Sequence, residues 1–211
     1  MKVDLFYEMS IPDFSPITQA ELFDQTLAEI ELADRLNFNA VWLVEHHFMP
    51  GYSYSSTPEL ILAAASQRSQ QIRLGFAIIP LPYHNPIQIA ERVASLDVLS
   101  HGRVEFGFGR GFQPKEYQAF QVDMADSRQL TQESIQVIKQ ALSGSSVNHK
   151  GDHYEFSDLK ITPNCIQKPH PPLWMATVSP ESFDIAANIG VNAMCGPFKP
   201  WFMIKEDIKR F

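Results

Sequence analysis

Short apolar runs alternate along the chain with longer segments whose apolar positions recur every three to four residues. That is the pattern of strands separated by amphipathic helices. The first run covers residues 3–8. Thr18, with Glu21 three residues on, spells a capping box and predicts a helix whose buried stripe is Phe23, Leu27, Ile30, Ala33 and Leu36. A second run, residues 40–44, passes straight into Glu45-His46-His47. Thr57-Pro58 and Asn85-Pro86 each pair a capping residue with a proline at the first helical position. They predict helices over about 57–70 and from 86 to a stop near Gly102. The third and fourth runs are residues 72–79 and Val104–Gly109, followed by a helix over Ser127–Leu142. Residues 147–163 break the rhythm and predict a hairpin excursion with Gly151 at its turn. A fifth run at 173–176, a helix start at Ser179-Pro180-Glu181-Ser182, a sixth run at Asn192–Cys195 and the beginning of a last helix at 205–211 complete the series.

Six strand–helix units in a row imply an α/β fold with a parallel sheet. A doubly wound dinucleotide fold calls for G-x-G-x-x-G after its first strand. The first run is followed instead by Met9-Ser10-Ile11-Pro12, without glycine. The expectation is therefore a TIM (β/α)8-type barrel. A complete one needs eight units and about 250 residues, whereas only about six units are present. No repeat, low-complexity tract or linker interrupts residues 1–211, which are read as one domain.

Composition narrows the class. The chain has 211 residues, 45% of them apolar, enough to build a core, and a net charge of −7. That acidity speaks against nucleic acid and anionic lipid as partners. No run approaches the ~20 apolar residues of a membrane span, and the acids among residues 1–8 are foreign to a signal peptide. Cys165 and Cys195, thirty residues apart without CxxC, fit neither a disulfide scaffold nor a cysteine-based zinc site. A cytoplasmic setting is expected.

Ligands of parallel α/β sheets sit at the carboxyl ends of the strands. The residues there are Glu45-His46-His47, the 80–85 segment with His84, Arg110-Gly111-Phe112, and Thr177-Val178-Ser179. The alternating glycines Gly107, Gly109 and Gly111 suggest close approach of a flat ligand to the backbone. Arg110 is suited to a phosphate, and the helix start at Ser179–Ser182 favours an anion through its free N–H groups and dipole. An ordinary bulge and an ordinary cap are the competing readings. Neighbouring residues of a strand point to opposite faces, so His46 and His47 chelate one metal poorly, and no metal is expected. One of them facing the pocket could shuttle a proton. Cys195 is read as core packing.

In this order the segments resemble the bacterial-luciferase-like, flavin-dependent monooxygenases. The resemblance rests on residues 41–48, Leu81-Pro82-Tyr83-His84-Asn85-Pro86 with Ala90-Glu91, residues 96–103, Phe106–Phe112, residues 122–128, Pro169-His170-Pro171-Pro172 and Ser179–Ser182. It implies an enzyme that binds reduced FMN (F420 in a sister branch) and uses O₂ to oxygenate a small organic substrate such as an aldehyde. A separate flavin reductase usually supplies the FMNH₂. His46 matches the active-site histidine serving the oxygen chemistry and its proton transfers. Arg110 matches the phosphate-binding arginine, and Val178, Ser179 and Ser182, next to Thr177, fall among the phosphate's donors. Gly109 stands where luciferase has a reactive, non-essential cysteine, and Phe112 lies just beyond. Ala77-Ile78 matches a non-proline cis peptide beneath the flavin ring. Glu116 falls near an acidic residue of the mobile loop after strand four. Helices two and three form the family's dimer face and imply a homodimer. Family members continue through strands seven and eight. Residues 201–211 fall inside what would be the sixth helix, so the expectation includes a truncated chain, a gap filled by a partner, or a flavin-binding relative without turnover.

Overall fold

The computed structural model describes residues 2–196 and 199–211. Its main sheet is parallel throughout. The strands β1 (Asp4–Tyr7), β2 (Ala40–Leu43), β3 (Arg73–Phe76), β5 (Val104–Gly109), β8 (Leu173–Thr177) and β9 (Asn192–Cys195) lie side by side in that order. The two-residue β4 (Ile79–Pro80) also pairs with β5. Between the strands run α1 (Gln19–Arg35), α2 (Pro58–Ser66), α3 (Pro86–Leu99), α4 (Pro114–Ala119), α5 (Ser127–Leu142) and α6 (Pro180–Ile189), with α7 (Trp201–Ile208) last. The excursion is an antiparallel hairpin, β6 (Val147–Lys150) with β7 (Glu155–Leu159), closed by Gly151 N–H to the Tyr154 carbonyl.

Alternation along the strands sorts side chains into two layers. Val41, Leu43, Leu74, Phe76, Phe106, Phe108, Leu173 and Met175 face the helices and form the core with Ile30, Leu62, Ile89, Val93, Ile135 and Ile138. The opposite face carries Phe6, Trp42, Gly75, Glu105, Gly107 and Trp174. Trp42 and Trp174 meet edge to face with ring centroids 5.5 Å apart, although β2 and β8 are three strands removed, roughly 14 Å on a flat sheet. The sheet therefore curls, and this face is the inside of a partial barrel. Two glycines permit the curl. A Cβ on Gly75 would strike the Trp42 indole, and one on Gly107 would fall within the radius of the Phe76 carbonyl oxygen. Glu105 holds the floor, accepting from Trp174 Nε1 (2.6 Å) and from Arg73.

The capping box at Thr18 is present: its Oγ1 accepts from Glu21 N–H, and Glu21 accepts from Thr18 N–H. The buried stripe of α1 differs from expectation. Phe23 and Leu36 are 37% and 60% exposed, and the inward residues are Leu22, Thr26, Ile30 and Ala33. Thr26 bonds its hydroxyl to the Leu22 carbonyl at 2.8 Å, so a polar residue belongs to the buried face and apolarity alone misplaces it. The last helix begins at Trp201 rather than near 205. Cys195 is exposed at the end of β9, not packed in the core, because β9 is an edge strand. Cys165 is buried, and burial pushes its thiol up to about 12.

Candidate functional site

The carboxyl ends of β1, β2, β4, β5 and β8 open on one mouth. On the β2 side, Glu45, His46 and His47 follow the strand directly. The 3₁₀ turn Leu81–Tyr83 brings Tyr83 and His84 from β4, and α4 brings Glu116 from beyond β5. Glu116 is 1% exposed. Its Oε1 lies 3.2 Å from His46 Nδ1 and accepts from His47 N–H at 2.8 Å, while Oε2 accepts from Tyr83 O–H at 3.2 Å. Burial pulls this carboxyl upward, but the bonds from His46, His47 N–H and Tyr83 outweigh it and hold it below the ordinary carboxylate value. Burial, then the Glu116 charge, drives the Tyr83 phenol well above the ordinary tyrosine range.

A second buried carboxylate stands beside the first. Glu45 Oε1 is 2.9 Å from His47 Nε2 and 2.6 Å from His84 Nε2. Burial opposes its charge, and the two imidazoles more than compensate, so it too is held low. The neighbouring histidines therefore divide as alternation requires: His47 turns to Glu45, and His46 turns to Glu116. The His46 ring is packed edge-on against Tyr52 (5.5 Å) and Phe112 (5.8 Å). With Nδ1 engaged by Glu116, Nε2 has no partner among the described residues and is the atom left for a ligand.

The β5–β8 side is built differently. The register Phe108↔Met175 leaves Gly109 beside Ala176, whose Cβ lies 3.2 Å from a Cβ built there, and Arg110 follows at the strand's end. Arg110 is exposed, and its guanidinium makes no ion pair among the described residues. Tyr117 O–H anchors its backbone carbonyl. Gly111 then turns in the left-handed region (φ 72°) under Tyr83, whose hydroxyl would lie 2.7 Å from a Cβ there. That turn delivers Phe112 to His46. The Ala77–Ile78 peptide is cis, and Ala77 N–H bonds the Leu43 carbonyl at 2.8 Å.

Two expectations change here. The spaces beside the alternating glycines are not left for a ligand. The Phe76 carbonyl fills that at Gly107, and Ile78 Cδ1 and Ala176 Cβ lie 3.1 and 3.2 Å from a Cβ on Gly109. Glu116 belongs to a helix, not a loop. The expected phosphate donors also have partners within the protein. Thr177 Oγ1 donates to the Met194 carbonyl (3.1 Å). Ser182 Oγ accepts from Val178 N–H (3.0 Å) and donates to the Ser179 carbonyl (2.5 Å). Ser179 caps α6 without a side-chain bond to its backbone. Sequence reasoning gave no role to Tyr83 or to the carboxylate of Glu45. Their signal is a contact between distant segments, which periodicity does not carry.

Residues 8–211 match the family model described as luciferase-like monooxygenase. Limonene 1,2-monooxygenase of Rhodococcus erythropolis is 39% identical over 169 residues, covering 79% of this chain and 42% of its own length. The oxygenase component of the flavin-dependent trigonelline monooxygenase of Acinetobacter baylyi is 31% identical over 182 residues, covering 85% and 50%. The chain thus spans about half the length of these curated relatives. The crystal structure of monooxygenase RslO1 from Streptomyces bottropensis superposes with a TM-score of 0.94 at 30% identity, covering all of this chain and 64% of that one. Two more distant structures, each 18% identical and each covering 92% of this chain and 57% of its own, share the fold. One is the oxygenating constituent of 3,6-diketocamphane monooxygenase of Pseudomonas putida, in complex with FMN (TM-score 0.77). The other is an F420-dependent secondary alcohol dehydrogenase with an F420–acetone adduct (0.76). A half-barrel with its polar groups gathered at the strand tips, matched from residue 8 to residue 211, belongs to the luciferase-like monooxygenase family.

Proposed function

We propose that this chain carries the cofactor site of a monooxygenase that uses reduced FMN and O₂ to oxygenate a small organic substrate. The observation that carries this reading is the pairing, at one mouth, of an exposed and unpaired Arg110 with a His46 whose Nε2 is uncommitted. The residues fit a flavin phosphate. An uncompensated guanidinium in a chain of net charge −7 is matched to a doubly charged anion, and the start of α6 adds a positive dipole end. Val178 N–H, Ser179 and Ser182 would turn from one another to the phosphate, with Thr177 behind them. Ala77, Ile78 and Phe112 would bound the ring, with Ile78 and Ala176 standing over Gly109. When bound, the reduced flavin supplies the electron pair that activates O₂. His46 then holds or moves a proton at Nε2, while Glu116 fixes its ring through Nδ1. Phe48, Tyr52 and Phe112, exposed around the opening, offer apolar surface to the substrate and exclude water once covered.

The oxygenase component among the relatives supports a separate reductase as partner. Exposed Leu60, Val98 and Leu99 on or beside α2 and α3 support a homodimer through those helices, which light scattering checks: a strict monomer counts against it. Among the described residues no helix is long and apolar enough to cross a membrane.

Titration with FMN, riboflavin and F420 tests the cofactor. Arg110→Ala should weaken FMN about 10- to 100-fold, the worth of a charge-assisted bond, and leave riboflavin almost unchanged. Equal losses remove Arg110 from the phosphate. Tighter binding of F420 than of FMN favours the second reading, an F420-dependent oxidoreductase, which the fold likeness to the alcohol dehydrogenase supports. FMN binding without O₂-dependent product favours a non-catalytic relative.

A further inference from the structure

One oxygen of the buried Glu45 ties together two segments that arrive from different strands. Oε1 takes His47 Nε2 at 2.9 Å, just beyond β2, and His84 Nε2 at 2.6 Å, at the close of the 3₁₀ turn after β4. An ionised carboxylate only accepts, so both imidazoles present Nε2–H to it. Each tethered segment then hands one donor to the other carboxylate. The His47 backbone N–H reaches Glu116 Oε1 at 2.8 Å. Tyr83, the residue before His84, gives its hydroxyl to Glu116 Oε2 at 3.2 Å. Glu116 Oε1 in turn stands 3.2 Å from His46 Nδ1. Glu45 touches neither Glu116 nor His46 by hydrogen bond, yet it grips both of the segments that aim donors at Glu116.

The first of these segments needs holding. Phe48, which follows His47, has a left-handed backbone (φ 59°). For an aromatic residue that conformation is sparsely populated and persists where the surroundings impose it. Lys115 Nζ donates to the Phe48 carbonyl at 2.9 Å, from an exposed side chain. The Phe120 ring stands between the two segments, edge-on to His47 (4.8 Å) and stacked on Tyr83 (5.1 Å). Phe120 thus keeps His47 and Tyr83 apart, while Glu45 draws their segments together. The two opposed contacts define a spacing. Hydrogen bonds weaken steeply with distance and angle, so that spacing decides whether both oxygens of Glu116 meet their donors at once.

We propose that Glu45 is a positioning residue for His46: by setting both donors to Glu116 it fixes that carboxylate, and through it the tautomer and aim of the His46 ring. Glu116 only accepts, so His46 carries its proton on Nδ1 and turns the lone pair of Nε2 to the mouth. A loosened Glu116 would let that proton move to Nε2 and the ring swing. The proposal rests on the monooxygenase reading for the task of His46 in a reaction. The arrangement itself is present without flavin, and its test reads the flavin-free chain.

Long-range proton–nitrogen correlation NMR on histidine-labelled protein reads the tautomer of each imidazole, at pH 8, above the ordinary histidine value. In the wild-type chain the Nδ1–H form of His46 should outnumber the Nε2–H form by at least about 10 to 1, the worth of a bond to a charged acceptor. Glu45→Gln keeps the length of the side chain but faces two donors with a neutral amide, and should bring that ratio to about 2 to 1 or less. His84→Leu cuts one tether of the two and should lower the ratio about threefold, the worth of a neutral bond. His84→Gln, whose amide donates in place of Nε2, should recover it. Lys115→Met loosens the same loop from outside and should leave the ratio within about twofold of wild type. A wild-type ratio near one overturns the proposal. So does a Glu45→Gln chain that melts lower and keeps its His46 tautomer, which makes Glu45 merely structural, or a Lys115→Met chain that loses the tautomer as fully as Glu45→Gln. If Glu45→Gln fails to fold, the His84 pair decides: no loss in His84→Leu, or a loss that His84→Gln does not recover, overturns it. Failure of the wild-type chain to bind FMN would sink the flavin reading and would still leave the tautomer ratios to judge Glu45.

Discussion

The two sides of the mouth are built on opposite plans. On the β2 side both buried carboxylates are matched. Glu116 and Glu45 are buried, each held by two or more donors from separate segments, and His46 and His47 are fixed by them. On the β5–β8 side Arg110 is exposed, Ser179 caps nothing with its side chain, and Val178 and Ser182 satisfy each other. A closed network is rigid before any ligand arrives, because breaking one bond leaves a buried group unpaired. An open rim keeps its charge available and takes its final form only with a ligand. The division suits a site in which proton-handling groups must be preset, while an anion is gripped on arrival.

Acid should expose this contrast most strongly. Both Glu45 and Glu116 have folded pKa values below their ordinary 4.5. Their contribution to stability is complete above that value and is lost as pH falls through the folded values. Unfolding followed by tryptophan fluorescence should therefore show stability roughly level from pH 7 to about 5 and falling below. Protonation breaks both carboxylates together, so this is the largest of the effects. Glu116→Gln removes the charge that His46 and His47 N–H hold and sets an amide NH2 against the Tyr83 hydroxyl. It should cost about 2 kcal/mol at pH 7, and the gap to wild type should narrow as acid removes the same charge from the wild-type chain. A gap that is constant down to pH 3.5 would mean that Glu116 is not held low and that the network is not electrostatic.

Gly109→Ala tests whether the open rim is also loose in its backbone. A Cβ there lies 3.1–3.3 Å from Ile78 and 3.2 Å from Ala176, so both must give slightly. A cost of about 1 kcal/mol in chemical denaturation marks a rim packed at backbone level with only its side chains open. No cost at all would mean that the floor under Arg110 yields, and that the rim is shaped by its ligand throughout.

Much of this was legible in the sequence where one segment decides its own structure. Val104–Gly109 is an unbroken buried strand and reads as one. Ser127–Leu142 and the hairpin around Gly151 fall where periodicity and turn chemistry place them. The half-barrel followed from counting units, and the mouth from knowing which strand ends carry ligands. The features that failed to show depend on two segments at once. Six residues of α4 contain too few turns to display a period, yet they place Glu116. The stripe of α1 runs through Thr26, buried because a neighbouring carbonyl satisfies it. Gly107 reads as room for a ligand until the Phe76 carbonyl is seen to occupy it.

The smallest effect is the one that separates the two plans most cleanly. Arg110→Ala removes an exposed cation without an ion pair, so unfolding free energy should change by no more than about 0.5 kcal/mol. The same change should weaken FMN at least tenfold, while Glu116→Gln loses stability and keeps most of its FMN affinity. Binding and folding then respond to different residues across one opening, and the crossed pattern is the measurement. If Arg110→Ala unfolded the chain as readily as Glu116→Gln, the guanidinium would be part of the fixed network, and the open rim would not be a site held ready for an anion.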